Sequence, residues 1–331
     1  MQNSGDNCFR VNQVSETSLQ NPFTGLSRLK LFWALSRTPH GLLDMCTPAF
    51  GALLWLGHFP SLTVIVIGLI TTFAGYTAVY ALNDVIDYRV DKEKVAEVGL
   101  SDAGSDLDSI GVRHPMAQGL LSFKEGLLWA TAWGILALIG AYLLNPVCVL
   151  IFAGGCALEA VYCALWRVSP LRTFVSGAVK TSGAIAAVFA VDLAPEPLFV
   201  LLLFLMLFFW EIGGQNIPND WSDMDEDRRM RAKTIPVQWG AQAANAIIVA
   251  TITLTLCMQV VIFYYSRDRY GFIYMLISLI ITVYLLLLPA LKLNKTRDKA
   301  QAMNLFNKAS YFPLALLVVV VIKLSFEFMG S

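Results

Sequence analysis

Apolar residues in this chain do not alternate with polar ones; they run in blocks, separated by connections of two contrasting kinds. No charged side chain lies between Asp44 and Asp84, between Glu125 and Glu159, between Lys233 and Arg267, or between Arg269 and Lys292. A hydrocarbon core of ~30 Å is crossed by about 20 helical residues. The first and third blocks exceed one such crossing and suggest helix pairs joined by tight turns. Turn signals along the whole chain place nine helices near 41–58, 61–82, 124–144, 147–166, 174–194, 197–217, 240–264, 271–291 and 309–329, with only one of them in the third block. The expectation is an all-α membrane protein.

The connections alternate. One set is short and nearly uncharged: His58–Ser61, Asn145-Pro146, Ala194–Glu196 and Ser266–Tyr270. The other is long and charged: 83–123, 167–173, 218–239 and 292–308. Of the 24 Lys and Arg, only Arg267 and Arg269 fall on the short-loop side, with Lys323 near the C-terminus. The positive-inside rule then puts the long loops in the cytoplasm, and a bacterial plasma membrane is the expected location. Composition agrees, with 56% apolar and 15% charged residues against roughly a quarter charged in a soluble domain. A soluble enzyme is excluded. The net charge of zero gives no reason to expect a nucleic-acid partner. Six scattered Cys carry no C-x-x-C pair, and His40, His58 and His114 are isolated, so neither a disulfide framework nor a zinc centre is expected. Residues 1–30 lack the apolar centre of a signal peptide and read as a cytoplasmic tail to a membrane domain over 31–331.

Candidate chemistry enters at two charged connections. The second helix runs into Asn83-Asp84-Val85-Ile86-Asp87-Tyr88-Arg89-Val90-Asp91, and the sixth into Asn219-Asp220-Trp221-Ser222-Asp223-Met224-Asp225-Glu226-Asp227. Both read N-D-x-x-D-x-x-x-D. On a continuous helix that spacing stacks three carboxylates on one face. Such a stripe repels itself unless a cation sits within it, and hard divalent ions prefer oxygen ligands while also binding phosphates. A single stripe could be an ordinary solvated helix end. Two copies in the same register, 136 residues apart, argue for a shared function. Each follows the second helix of a four-helix group, so the chain reads as two related four-helix halves plus a ninth helix.

Arg89, Lys92 and Lys94 follow the first motif; Arg228, Arg229, Arg231 and Lys233 follow the second. Acids with adjoining cations suit a ligand carrying both a metal and anionic oxygens, namely a diphosphate. Some of these cations would instead meet anionic lipid head groups. Ionisable groups within the helices (Asp44, Glu159, Lys180 and Glu211) are costly there and favour a bundle interior or cavity. A transporter or cation channel with acidic ion sites is the alternative. It would place its site near the midplane rather than at one face beside basic residues.

These residues resemble the UbiA superfamily of intramembrane prenyltransferases. The resemblance is carried by Asn83-Asp84-x-x-Asp87-x-x-x-Asp91, by Asp223-x-x-x-Asp227 with Lys233-Thr234-Ile235-Pro236-Val237, by Arg113-His114-Pro115 through Gly119, and by Arg37-Thr38-Pro39. His114 and a long acidic loop over 92–112 depart from the family's pattern. The resemblance implies transfer of an isoprenyl chain from a prenyl diphosphate to an aromatic or lipid acceptor, foremost a quinone precursor. It implies Mg²⁺ held by Asp84, Asp87, Asp91, Asp220, Asp223 and Asp227, with Asp84, Asp87, Asp91, Asp223 and Asp227 central to catalysis. Lys233 is the first choice to clamp the diphosphate, with Arg113 and Arg172 behind it. Asn83, Asn219, Arg37 and Lys180 are further substrate contacts. Glu159 and Tyr162, three residues apart, share a helix face on which an acceptor would rest; whether Glu159 acts as proton donor or base stays open.

Overall fold

The computed structural model describes residues 26–97 and 112–330, and every regular element among them is helical. Most of the expected tail and the acidic residues Asp102, Asp106 and Asp108 lie outside the described residues. From Leu26 the chain is already α1 (Leu26–Leu35), which buries Leu31 and Leu35 against Ala81, Val85 and Met116.

Eight helical stretches are long and apolar enough to span a bilayer. They are α4 (Leu62–Ile86), α6 (Phe123–Leu144), α7 (Pro146–Ala164), α8 (Arg172–Val191), α9 and α10 (Pro197–Trp210, Ile217–Ser222), α12 (Ile235–Tyr265), α13 and α14 (Arg267–Thr282, Leu288–Thr296), and α15 and α16 (Lys299–Ser310, Phe312–Gly330). Two short helices follow the acidic motifs, α5 (Tyr88–Glu97) and α11 (Met224–Arg229). The third apolar block is one helix rather than a pair, turning at Gly240, whose φ of 78° is open to glycine.

The first expected helix, 41–58, is present in two pieces, α2 (Thr38–Asp44) and α3 (Cys46–Leu56), which meet at Met45. Pro48 explains the break. It has no N–H to give the carbonyl of Asp44, and the Thr47 hydroxyl donates to that carbonyl instead at 2.8 Å. The same residue type shapes two later helices. Glu211–Asn216 and Val283–Leu287 widen into π-turns, each ending just before a proline, Pro218 or Pro289. A missing proline N–H opens the i→i−4 ladder, and the i→i−5 bonds Ile217 N–H to Ile212 O and Leu288 N–H to Val283 O take over.

Packing is uneven around the bundle. A deep core gathers Trp210, Ile217, Trp221, Ile248, Leu286 and Leu316. The outer faces of α4 and α7 leave Leu62 and Leu150 74% and 73% exposed, as lipid contact requires. Helix α4 packs on α6 and α7, α8 on α3 and α7, and α9 on α12. The polar ends of α4 and α10 thereby converge.

Candidate active site

Neither acidic motif is one continuous helix. In each, the middle aspartate breaks it: Asp87 at φ −82°, ψ 2° and Asp223 at φ −93°, ψ 7°. The helix restarts at once, with Asp91 N–H on Asp87 O at 2.8 Å and Asp227 N–H on Asp223 O at 2.9 Å. The expected three-carboxylate stripe is corrected to a bent one, and the bend is the same in both copies. Asp84, Asp91, Asp220 and Asp227 are buried, Asp87 and Asp223 half-buried. All six line one cavity of about 140 Å³.

The bend also ties the two motifs together. Lys94 on α5 reaches Glu226 on α11 at 3.5 Å and lies over the Trp166 ring at 4.5 Å. Arg167 joins Glu93 at 2.9 Å and the Met230 carbonyl at 3.0 Å. Cations complete the cavity wall: Arg37, 3.5 Å from Asp84, with Lys94, Arg113 and Arg172. Arg172 is buried, stacked 4.0 Å over the ring of Tyr162, and its Nε and Nη1 reach no acceptor; one oxygen of Asp220 is also without a partner. Buried donors and acceptors are normally satisfied. A wall with an unsatisfied cation and an unsatisfied carboxylate suits a ligand that is both anion and metal. Burial pushes the carboxyls of Asp87 and Asp223 up, and that of Asp227 up to about 6. Among like charges, a divalent cation relieves that cost.

A family model described as the UbiA prenyltransferase family matches residues 45–312. The chain belongs to the UbiA prenyltransferase family. Among relatives, it is 25% identical over 237 residues to a digeranylgeranylglyceryl phosphate synthase of Thermococcus sibiricus, covering 69% of this chain and 76% of that one. It is 26% identical over 292 residues to a 4-hydroxybenzoate octaprenyltransferase of Histophilus somni, covering 86% and 92%. Its fold is similar to that of a UbiA homologue from Archaeoglobus fulgidus bound to DMAPP and Mg²⁺, at a TM-score of 0.63, 18% identity, and 88% and 99% coverage. Family membership makes the chain a prenyltransferase, which decides against the transporter alternative.

Beneath the UbiA motifs lies a second cavity of about 260 Å³, running down α4, α6, α7 and α8. Arg37, Asn83, Tyr162 and Asn219 line both cavities, forming the floor of one and the roof of the other. Glu159 faces the lower cavity and accepts from Asn83 Nδ2 at 2.6 Å, so it sits directly under the first motif. Tyr162 shares its face and accepts from Asn216 Nδ2 at 3.2 Å. Lys180 also lines the lower cavity, paired with buried Asp44 at 2.6 Å and with Tyr80 OH at 3.0 Å. Glu211, on the first π-turn, accepts from Ser176 at 2.7 Å through one oxygen; the other is buried without a partner.

One expected contact fails. Lys233 is exposed and lines neither cavity, because its backbone N–H is held by Trp166 O at 2.8 Å while Ala232 N–H returns to Asp227 O. Arg172, by contrast, lines the upper cavity. His114 is the residue that sequence reasoning missed. Its Nδ1 lies 3.0 Å from Asp91 and 3.7 Å from Asp84. Burial disfavours a charge on its ring, but the two carboxylates outweigh that and hold its pKa up to about 9. The available signal was its position beside Arg113, where it interrupts the family's pattern.

Proposed function

We propose that this chain transfers an isoprenyl group from a prenyl diphosphate to an aromatic acceptor of the kind that enters quinone synthesis, using Mg²⁺. The observation that carries the reading is that both aspartate motifs line one cavity whose wall holds Arg172 with two unpaired donors. Asp84, Asp87, Asp91, Asp220, Asp223 and Asp227 hold the metal in this reading. When bound, Mg²⁺ supplies electrostatic stabilisation to the departing diphosphate.

The chain's own groups do the rest. Arg172 and Arg113 donate to phosphate oxygens, where charge-assisted bonds are strongest. The donor's C–O bond breaks with its electron pair going to the diphosphate, while the lower cavity shields the allylic carbon from water. A new bond forms to the acceptor, whose lost proton passes to a carboxylate. Glu211 offers an oxygen with no other partner, and Glu159 lies next to the roof. The apolar length of the lower cavity suits the prenyl chain, and its few polar groups suit a small acceptor. The predominance of Lys and Arg on the long loops supports a cytoplasmic location for the motifs in a bacterial plasma membrane.

The test supplies the purified protein with labelled prenyl diphosphate, Mg²⁺ and a panel of hydroxybenzoates, naphthoates and glycerol-phosphate lipids, followed by mass spectrometry. A prenylated aromatic product that needs Mg²⁺ is expected. A product formed only on the glycerol-phosphate lipid would overturn the acceptor assignment; undiminished transfer by both Asp84→Asn and Asp220→Asn would overturn the site.

A further inference from the structure

His114 lies on the connection before α6, facing the first motif. Its backbone is left-handed, φ 47°, a conformation that L residues enter at a cost and that aims the ring inward from the connection before α6. The ring meets two carboxylates from two other elements: Asp84 at the end of α4 and Asp91 on α5. One ligand atom from each of the three lies within 4.8 Å of the others. The Nδ1 atom is buried, and although two carboxylates stand at 3.0 and 3.7 Å, neither makes a hydrogen bond of proper geometry with it. Adjacent ligands around an octahedral ion with ~2.1 Å bonds stand about 3.0 Å apart, so the His114–Asp91 separation is that of two neighbouring ligands. Asp220, 6% exposed and with one oxygen unpaired, lines the same cavity and marks it independently as incomplete without a ligand.

We propose that His114 is a metal ligand, forming with Asp84 and Asp91 a mixed nitrogen–oxygen position at the first motif that favours a first-row transition ion, Mn²⁺ included, over Mg²⁺. This rests on the proposed function only in taking the first motif to be metal-binding. Carboxylates alone suit Mg²⁺, whereas an imidazole adds affinity for first-row transition ions, least for Mn²⁺ among them but still more than for Mg²⁺. The ring ligates as neutral imidazole, and the Nδ1 proton leaves to solvent as the ion enters. The second motif holds no His, so the two halves of the cavity differ in metal preference: all-oxygen on one side, mixed on the other.

The experiment uses the purified full chain in detergent with Mn²⁺ and inorganic pyrophosphate. Pulsed EPR reads ¹⁴N coupling to the bound Mn²⁺, and competition titration reads the Mn²⁺ to Mg²⁺ affinity ratio. His114→Asn is the variant of choice, since Asn tolerates the left-handed backbone; His114→Ala is the second. Wild type should show ¹⁴N coupling that both variants lose, with Mn²⁺ binding weakened at least about tenfold and the preference over Mg²⁺ reduced. Mn²⁺ bound to wild type without ¹⁴N coupling, or coupling that persists in the variants, would overturn the His114 assignment and leave the diphosphate site standing. Failure of wild type to bind Mn²⁺ with pyrophosphate would overturn both.

Discussion

Arg172 combines two contacts that only a planar cation can make together, a stack on Tyr162 and open donors toward the cavity. Replacing it with Gln removes a charged bond to phosphate of about 1.5–3 kcal/mol. Donor KM should therefore rise by roughly 10- to 100-fold, and Arg172→Lys should recover only part of the loss. Steady-state kinetics with geranyl diphosphate checks both; equal behaviour of Lys and Arg would remove the stacked-clamp role. Lys180 gives a different outcome. Lys180→Met takes the cation from the buried Asp44 carboxylate and leaves it only Tyr80 and His40, which costs about 3–5 kcal/mol. Its Tm in detergent should fall well below that of the double variant with Asp44→Leu. The aspartates were legible in the sequence because a motif repeated in register is hard to produce by chance. Lys233 and His114 were misjudged for one reason: the side of a loop that faces a cavity is set by its own backbone bonds. Arg231 and His114, both at positive φ, lie in the turns that expose Lys233 and aim the imidazole inward.

Among the elements, the bends at Asp87 and Asp223 and the π-turn at Glu211–Asn216 position the site more than helix length does. Most helix spans could be read from apolar run length to within about five residues. The last begins at Lys299, inside the charged connection expected over 292–308, because Ala302, Leu305, Phe306 and Ala309 give that segment a buried face. Pro48 and Pro218 were visible too, but whether a proline produces a break or a π-turn depends on which neighbour satisfies the freed carbonyl, and that is a tertiary fact. The π-turn fits because Gly213 lets α12 approach. A Cβ there would stand 2.2 Å from Thr251 Oγ1 and 3.0 Å from the backbone oxygen of Ile248. Gly213→Leu should cost about 1–3 kcal/mol by overpacking and displace Glu211 and Asp220 together. The expected readout is a lowered Tm with a larger loss of turnover than Gly68→Leu, at a glycine with open space around it. Equal effects at the two positions would argue against the π-turn as the positioning element.

For the whole molecule, the charge on the long loops predicts which side of the membrane they face. In a cysteine-free background, Lys233→Cys should react with an impermeant thiol reagent only from the cytoplasm and Ser61→Cys only from outside; both residues are exposed. The reverse pattern would invert the topology. The lower cavity yields another expectation. Cys148 lies 11 residues from Glu159 along α7, roughly 16 Å of helix, and Ala141 lines the same stretch. Ala141→Phe should shorten the longest donor accepted while leaving geranyl transfer nearly intact, as a donor-length series read by mass spectrometry would show. The sequence placed Glu159 and Tyr162 on one face for an acceptor below the first motif. The shape of the lower cavity, and the layer it shares with the upper one, depend instead on how α4, α7, α8 and α10 cross.

The shared layer of Arg37, Asn83, Tyr162 and Asn219 has a consequence for how such an enzyme diverges. Above it, nearly every wall position is charged or hydrogen-bonded and tolerates little change. Below it, small residues such as Gly75, Ala137 and Ala186 can be exchanged without touching those charges. A gene duplicate could therefore drift toward a new lipid length through a series of working intermediates. A change in the reaction itself would have to pass through the four residues that both compartments own, where a gain in one is a loss in the other.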